Sequence, residues 1–114
     1  MNVTGLWWRN RAAISKAHDY ALKSFFKDTT LKPGVTSTRH LGTNHAIVHC
    51  RFTLKGQTAP DGSIAGDRQT ILIFVLQRAD EGWLAVAAQN TDVVPGKETH
   101  LNTGELTSVD YRDT

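Results

Sequence analysis

The sequence predicts a single α+β domain, one helix laid against an antiparallel sheet. Three observations point there. Helical periodicity is confined to the neighbourhood of residues 11–27, the stretch from 35 to 93 reads as strands parted by turn signals, and 114 residues is the length of one ordinary domain. A helix followed by a run of strands is the α+β arrangement rather than the strand–helix alternation of a parallel sheet.

The helix is justified by its stripe. Ile14, Ala17, His18, Ala21, Leu22 and Phe25 fall on one side at helical spacing. Asn10 supplies an N-cap whose side chain can accept from an orphan N–H of the first turn. Thr29, Thr30 and then Pro33-Gly34 end it. The first strand is Val35 to Leu41, and Gly42-Thr43-Asn44 turns it into a second over His45–Gln57. There Ala46, Val48, Cys50, Phe52 and Leu54 alternate with His45, Ile47, His49, Arg51 and Thr53, giving one apolar and one mostly polar face. Pro60-Asp61-Gly62 is a turn, since Pro presets φ and Gly tolerates a positive one. A third strand spans about 67–78, Ala79-Asp80-Glu81-Gly82 turns, and Trp83–Val93 is the fourth.

The third and fourth strands are apolar on both sides. Ile71, Ile73 and Val75 oppose Leu72, Phe74 and Leu76, and Leu84, Val86 and Ala88 oppose Trp83, Ala85 and Ala87. A sheet face with only water over it should alternate more cleanly. The helix covers one side, and the simplest cover for the other is a second subunit, so a homodimer through the sheet face is expected. The domain is read as residues 1–94, with 95–114 a C-terminal tail that is either disordered or laid across a neighbour.

Composition removes several classes. With 39% apolar and 21% charged residues the chain is neither disordered nor fibrous, and no apolar run reaches a membrane span, so no membrane partner is expected. The formal charge of +2 is scattered without a basic run, which argues against nucleic acid. One cysteine, Cys50, forms no internal disulfide framework and fits a reducing, cytoplasmic setting. Its alternation with Val48 and Phe52 marks a core residue rather than a nucleophile. No metal is expected: His45 and His49, four apart on a strand, are roughly 13 Å from each other. No Gly-rich phosphate loop or nucleophilic triad spacing is present, and no cofactor is expected.

Four pieces of the chain carry a family resemblance. They are Asn2-Val3-Thr4-Gly5-Leu6-Trp7-Trp8-Arg9 leading into Arg11-Ala12-Ala13-Ile14, His45-Ala46-Ile47-Val48-His49, Arg68-Gln69-Thr70-Ile71-Leu72, and Gly82-Trp83-Leu84-Ala85 running to Gln89-Asn90-Thr91. Over about residues 1–93 they resemble nuclear transport factor 2-like proteins, more narrowly the SnoaL-like and SgcJ/EcaC-type group. The resemblance implies a cone-shaped α+β barrel, a cystatin-like roll with a pocket between helix and curved sheet. Its members include isomerases, cyclases, dehydratases and non-catalytic binding or dimerisation modules, so fold does not settle function. Two departures stand out. Members normally begin with a helix of their own, whereas Met1 falls at the strand after it; either the true start lies upstream, or the tail or a partner caps the pocket. Ketosteroid isomerases carry a catalytic Asp where this chain has Asn2 or its neighbour, and an amide cannot abstract a proton.

The candidate site follows from those elements. His18, inside the helix stripe, is the candidate proton carrier, or else a satisfied core histidine. His49 and Arg51 line the pocket if their strand face is concave, with Arg51 able to hold a substrate oxygen, and are solvated or at the dimer seam if it is convex. Of Gln89 and Asn90 one faces the interior, as a structural hydrogen bond or as a ligand contact, with Gln89 the favoured contact. Trp7 and Trp8 sit side by side on a strand, and Trp8 is assigned to the pocket wall. The expected function is binding of a small apolar or aromatic molecule, with acid/base isomerase, cyclase or dehydratase chemistry if it is an enzyme. The competing expectation is a non-catalytic ligand-binding or dimerisation module.

Overall fold

Asn10 opens helix α1 (Arg11–Leu22): its backbone is extended and its Oδ1 accepts the Ala13 N–H at 2.8 Å. The structure, a computed structural model, describes residues 1–110 and Arg112. The helix stops short of the expected residue 27. Lys23 N–H is shared between the Asp19 and Tyr20 carbonyls, and Ser24 Oγ donates to Tyr20 O at 3.0 Å, so the last turn closes on itself. Residues 23–28 continue as turns. Ala13, Ala17 and Ala21 form the half-buried line of the helix, while Ile14, Leu22 and Phe25 stay exposed.

Four strands follow, β1 (Thr30–Leu41), β2 (His45–Lys55), β3 (Arg68–Ala79) and β4 (Gly82–Asp92), antiparallel in chain order. This is the expected meander, with one change of boundary. Pro33-Gly34 does not precede the first strand but lies within it, where the register shifts between Pro33 and Thr36. An edge strand tolerates a proline and a bulge, because one side of its backbone has no ladder to complete. The turns between strands match the residues that predict them. Gly62 N–H donates to Ala59 O at 2.9 Å across Pro60-Asp61, and Ala79 pairs Gly82 across Asp80-Glu81.

Register assigns each side chain to a face. The inner face carries Ala46, Val48, Cys50, Phe52 and Leu54 of β2 beside Leu76, Phe74, Leu72, Thr70 and Arg68 of β3. All four buried residues, Ala46, Cys50, Leu54 and Thr70, lie on it. At one end His40 of β1 and Trp83 of β4 meet edge to face, centroids 6.3 Å apart. Their strands are three spacings apart, about 14 Å, so the long side chains reach across a curved surface. Ala46, the strand partner of His40, is 3% exposed. The sheet is curved but does not close into the expected cone-shaped barrel.

Two sets of backbone bonds tie the N-terminal part to the rest of the chain. The Met1 ammonium donates to Ala88 O, and Asn90 N–H donates to Met1 O, both at 3.0 Å, a single parallel-type bridge on the β4 edge. The strand expected at Asn2–Arg9 is reduced to that bridge, because Asn2 Oδ1 accepts from Thr4 and Leu6 N–H and folds the segment into a turn. At the other end Thr58 N–H donates to Phe25 O at 2.9 Å. Gly56 passes so close to Asp28 that a Cβ there would lie 2.7 Å from its carbonyl oxygen, and its φ is +83°.

Residues 99–109, expected without regular structure, form a hairpin of β5 (Thr99–Asn102) and β6 (Leu106–Val109). The whole is open. Its radius of gyration is 16.6 Å, against about 13 Å for a compact chain of this length. Its accessible surface is 8928 Å², roughly 2,700 Å² above what a compact monomer of this mass exposes.

Replacing Gly56 with Ala should destabilise the protein by more than about 1 kcal/mol, since both the positive φ and the Asp28 carbonyl oppose a side chain. Asn10→Ala should cost about 1 kcal/mol and Asn10→Asp much less. Urea unfolding of the three variants measures both.

Candidate functional site

Of the six candidate residues, those on the sheet divide between its two sides. His49 and Arg51 alternate with the inner residues of β2 and pair across to Ile73 and Ile71 of β3. They stand on the outer face and are exposed. Gln89 pairs with Ile73 and shares that face. Asn90 belongs to the inner side, and Trp8 and His18 lie in the N-terminal segment and helix α1. The structure therefore assembles no single cluster from the six.

Trp8 and His18 are in direct aromatic contact. The Trp8 and His18 rings lie 5.4 Å apart in an edge-to-face arrangement. His18 is held by its own helix, its Nδ1 at 2.8 Å from Ile14 O, and its side chain is exposed rather than enclosed. The half-buried line of the helix runs along Ala13, Ala17 and Ala21, and the imidazole lies beside it. Trp8 is half-buried, while its neighbour Trp7 lies open beneath the Arg9 guanidinium, 4.1 Å from the ring centroid.

Asn90, rather than Gln89, is the inward amide. Its Oδ1 accepts from the buried Thr70 hydroxyl, which also lies 3.1 Å from Thr91 O. This is the structural hydrogen bond that a buried polar strand residue requires. Cys50 is buried and free, with Thr36 Oγ1 3.2 Å from its sulfur. The electrostatically perturbed groups lie elsewhere in the chain. Asp61 is held below the ordinary carboxylate range by the Ser63 hydroxyl and backbone N–H, and Asp110 by its hydrogen bonds from Arg112.

Concave space is modest. One open cleft of about 280 Å³ lies at the end of β3 and β4, between Asp67, Arg68 and Gln69 on one side and Asp92 to Pro95 on the other. The Arg68–Asp92 ion pair at 2.8 Å occupies its wall. A second of about 420 Å³ lies at the β3–β4 turn. Neither is lined by any of the six candidates. Among the described residues no group of three metal-ligating side chains converges, and no helix is long and apolar enough to cross a membrane.

What sequence reasoning underweighted is the His40–Trp83–Arg78 corner. The Arg78 guanidinium lies 5.1 Å from the Trp83 ring centroid, and the His40 ring meets the same indole. A signal was available, because the Gly42-Thr43-Asn44 and Ala79–Gly82 turns fix the two hairpin registers that bring these residues to one end.

A curved four-stranded antiparallel sheet with one helix is consistent with a cystatin-like fold. Comparison with solved structures agrees: the chain is similar to an uncharacterized protein with a cystatin-like fold from Caulobacter vibrioides, at 26% identity and a TM-score of 0.73. The match covers 83% of this chain and 67% of that one. No protein-family model and no curated protein matches the sequence.

His18→Ala should leave stability within about 0.5 kcal/mol, as expected of an exposed side chain bonded only to its own helix. Asn90→Ala should cost about 1 kcal/mol through the Thr70 hydroxyl it leaves with a single acceptor. Denaturant midpoints of the two variants test the division.

Proposed function

We propose that this chain is a non-catalytic association module of the nuclear transport factor 2-like, SnoaL-like or SgcJ/EcaC-type kind, working as a homodimer joined across the outer face of its sheet. The observation that carries the reading is the β3–β4 half of that face. Ile71, Ile73 and Val75 stand in a row, with Ala87 opposite Val75 and Leu84 opposite Gln77. Val86 is the extra residue at the register shift beside them. Leu84 is 62% and Val86 57% exposed, and the polar members of this half, Gln69, Gln77, Gln89 and Thr91, carry no charge. An uncharged apolar strip is self-complementary under a two-fold axis, because no like charges are brought together.

Area supports the same reading. The excess surface of roughly 2,700 Å² is more than the ~800 Å² per partner of a standard interface. Side chains on β3 have apolar partners on both faces only if a second layer exists. The fold itself is common to catalytic and non-catalytic proteins and favours neither.

A second reading keeps the inner side for a small apolar or aromatic ligand, with His18 as proton carrier and isomerase, cyclase or dehydratase chemistry. The edge-to-face Trp8–His18 pair favours it. A purified dimer retaining a few hundred extra daltons in native mass spectra would support that reading; an empty one would count against it.

Sedimentation velocity tests the main proposal. The protein should run as a dimer at micromolar concentration. Ala87→Arg, on an exposed edge-strand position, should raise the dissociation constant at least about tenfold while leaving the far-UV spectrum unchanged. A monomeric wild type, or a dimer indifferent to Ala87→Arg and to Leu84→Asp, would overturn it.

A further inference from the structure

The other half of the outer face differs in charge. On β1 and β2 it presents Lys32, Arg39, His45, His49 and Arg51 around the apolar Val35, Leu41 and Ile47. No strand residue on the outer face is Asp or Glu. Among the described residues Lys32, Arg39 and Arg51 have no carboxylate partner. Val35, pushed out by the Pro33–Thr36 bulge, is 79% exposed. A dimer centred on β3 and β4 leaves this half at its outer flank, where it needs a cover that brings apolar side chains and negative charge.

The β5–β6 hairpin is such an object. Val93 N–H still donates to Gln69 O at 2.9 Å, so the chain belongs to the sheet that far; Pro95 and Gly96, at φ +72°, then turn it away. Beyond that point the hydrogen bonds and ion pairs of residues 97–112 stay within residues 94–112 among the described residues. The base is clamped by Arg112, which reaches Glu98 at 3.3 Å and Asp110 at 2.8 Å. An isolated two-stranded hairpin is only marginally stable in water and needs a surface to pack on. This one offers an uncharged face of Thr99, Leu101, Thr107 and Val109, and a tip bearing Glu105, which has no cationic partner among the described residues.

We propose that the β5–β6 hairpin is an exchanged arm, packing its Thr99–Leu101–Thr107–Val109 face onto the β1–β2 half of the partner copy's outer sheet face, with Glu105 among that copy's unpaired cations. The proposal rests on the dimer reading and deepens it. The apolar strip sets the two-fold contact, and the arms then cover the basic flanks that the contact leaves open. Exchange of a terminal element between identical chains is a low-cost route to such an assembly, because each arm satisfies on its neighbour what it lacks at home. Charge complementarity favours a second copy of this chain over an unrelated partner, since the acidic tip and the basic flank are both present in every copy.

Hydrogen exchange of the full-length protein, read at concentrations above and below the dimer midpoint, tests the arm directly. Amides of Thr99–Asn102 and Leu106–Val109 should be protected in the dimer and lose at least about tenfold of that protection on dilution to monomer. Leu101→Asp should weaken the dimer at least about tenfold. Glu105→Arg should weaken it several-fold at low salt and less at high salt. Hairpin protection that ignores concentration, together with a dimer unaffected by Leu101→Asp, would overturn the arm while Ala87→Arg still dissociated the dimer. If Ala87→Arg had no effect either, the dimer reading itself would fall, and the arm with it.

Discussion

A strand that is apolar on both faces can be satisfied only between two layers, and β3 is such a strand. Leu72, Phe74 and Leu76 stand on the inner face, beside the four buried residues Ala46, Cys50, Leu54 and Thr70. Ile71, Ile73 and Val75 on the outer side are half-buried, as are Leu72, Phe74 and Leu76 on the inner. At about 25 cal/mol per Å² of apolar surface, one open sheet face is worth many kilocalories. That exceeds any single hydrogen bond or cap in the molecule, and a domain is stable by only about 5–15 kcal/mol in total. The apolar outer row of β3 is therefore the feature on which the proposed association rests.

The remaining features are arranged around that strand. The N-terminal segment and helix are tied to the rest of the chain at the β4 edge, at Ala88 and Asn90, and at Thr58 just beyond β2. Edges are treated in the usual ways: β1 carries a proline and a bulge, and β4 carries a register shift and the Met1 bridge. These devices discourage edge-to-edge pairing.

Much of the architecture was legible because it rests on local rules. Alternation on β2 assigned Ala46, Val48, Cys50, Phe52 and Leu54 to one face, and the glycine turns fixed the meander. The N-cap at Asn10 depends on one side chain and its own backbone. Elements that depend on distant or competing contacts were harder to read. Pro33-Gly34 reads as a terminator, yet an edge strand absorbs it. The Trp7-Trp8 run reads as a strand, but the Asn2 side chain folds the preceding residues into a turn. His18 lies in the apolar stripe, yet the half-buried line of α1 runs along its alanines, a rotation that periodicity alone cannot fix. Choosing between Gln89 and Asn90 needed the β3–β4 register, which places Asn90 beside the Thr70 hydroxyl. The hairpin at 99–109 has short strands of mixed polarity and carries little periodic signal.

The account stands on the claim that the fold is completed by a second copy. The midpoint of thermal unfolding, followed over a hundredfold range of protein concentration, tests it most directly, because a dimer that contributes core makes that midpoint concentration-dependent. The account predicts a midpoint that falls by several degrees on dilution, with a single cooperative transition throughout. A midpoint that stays fixed across the whole range in a protein shown to be monomeric would contradict it.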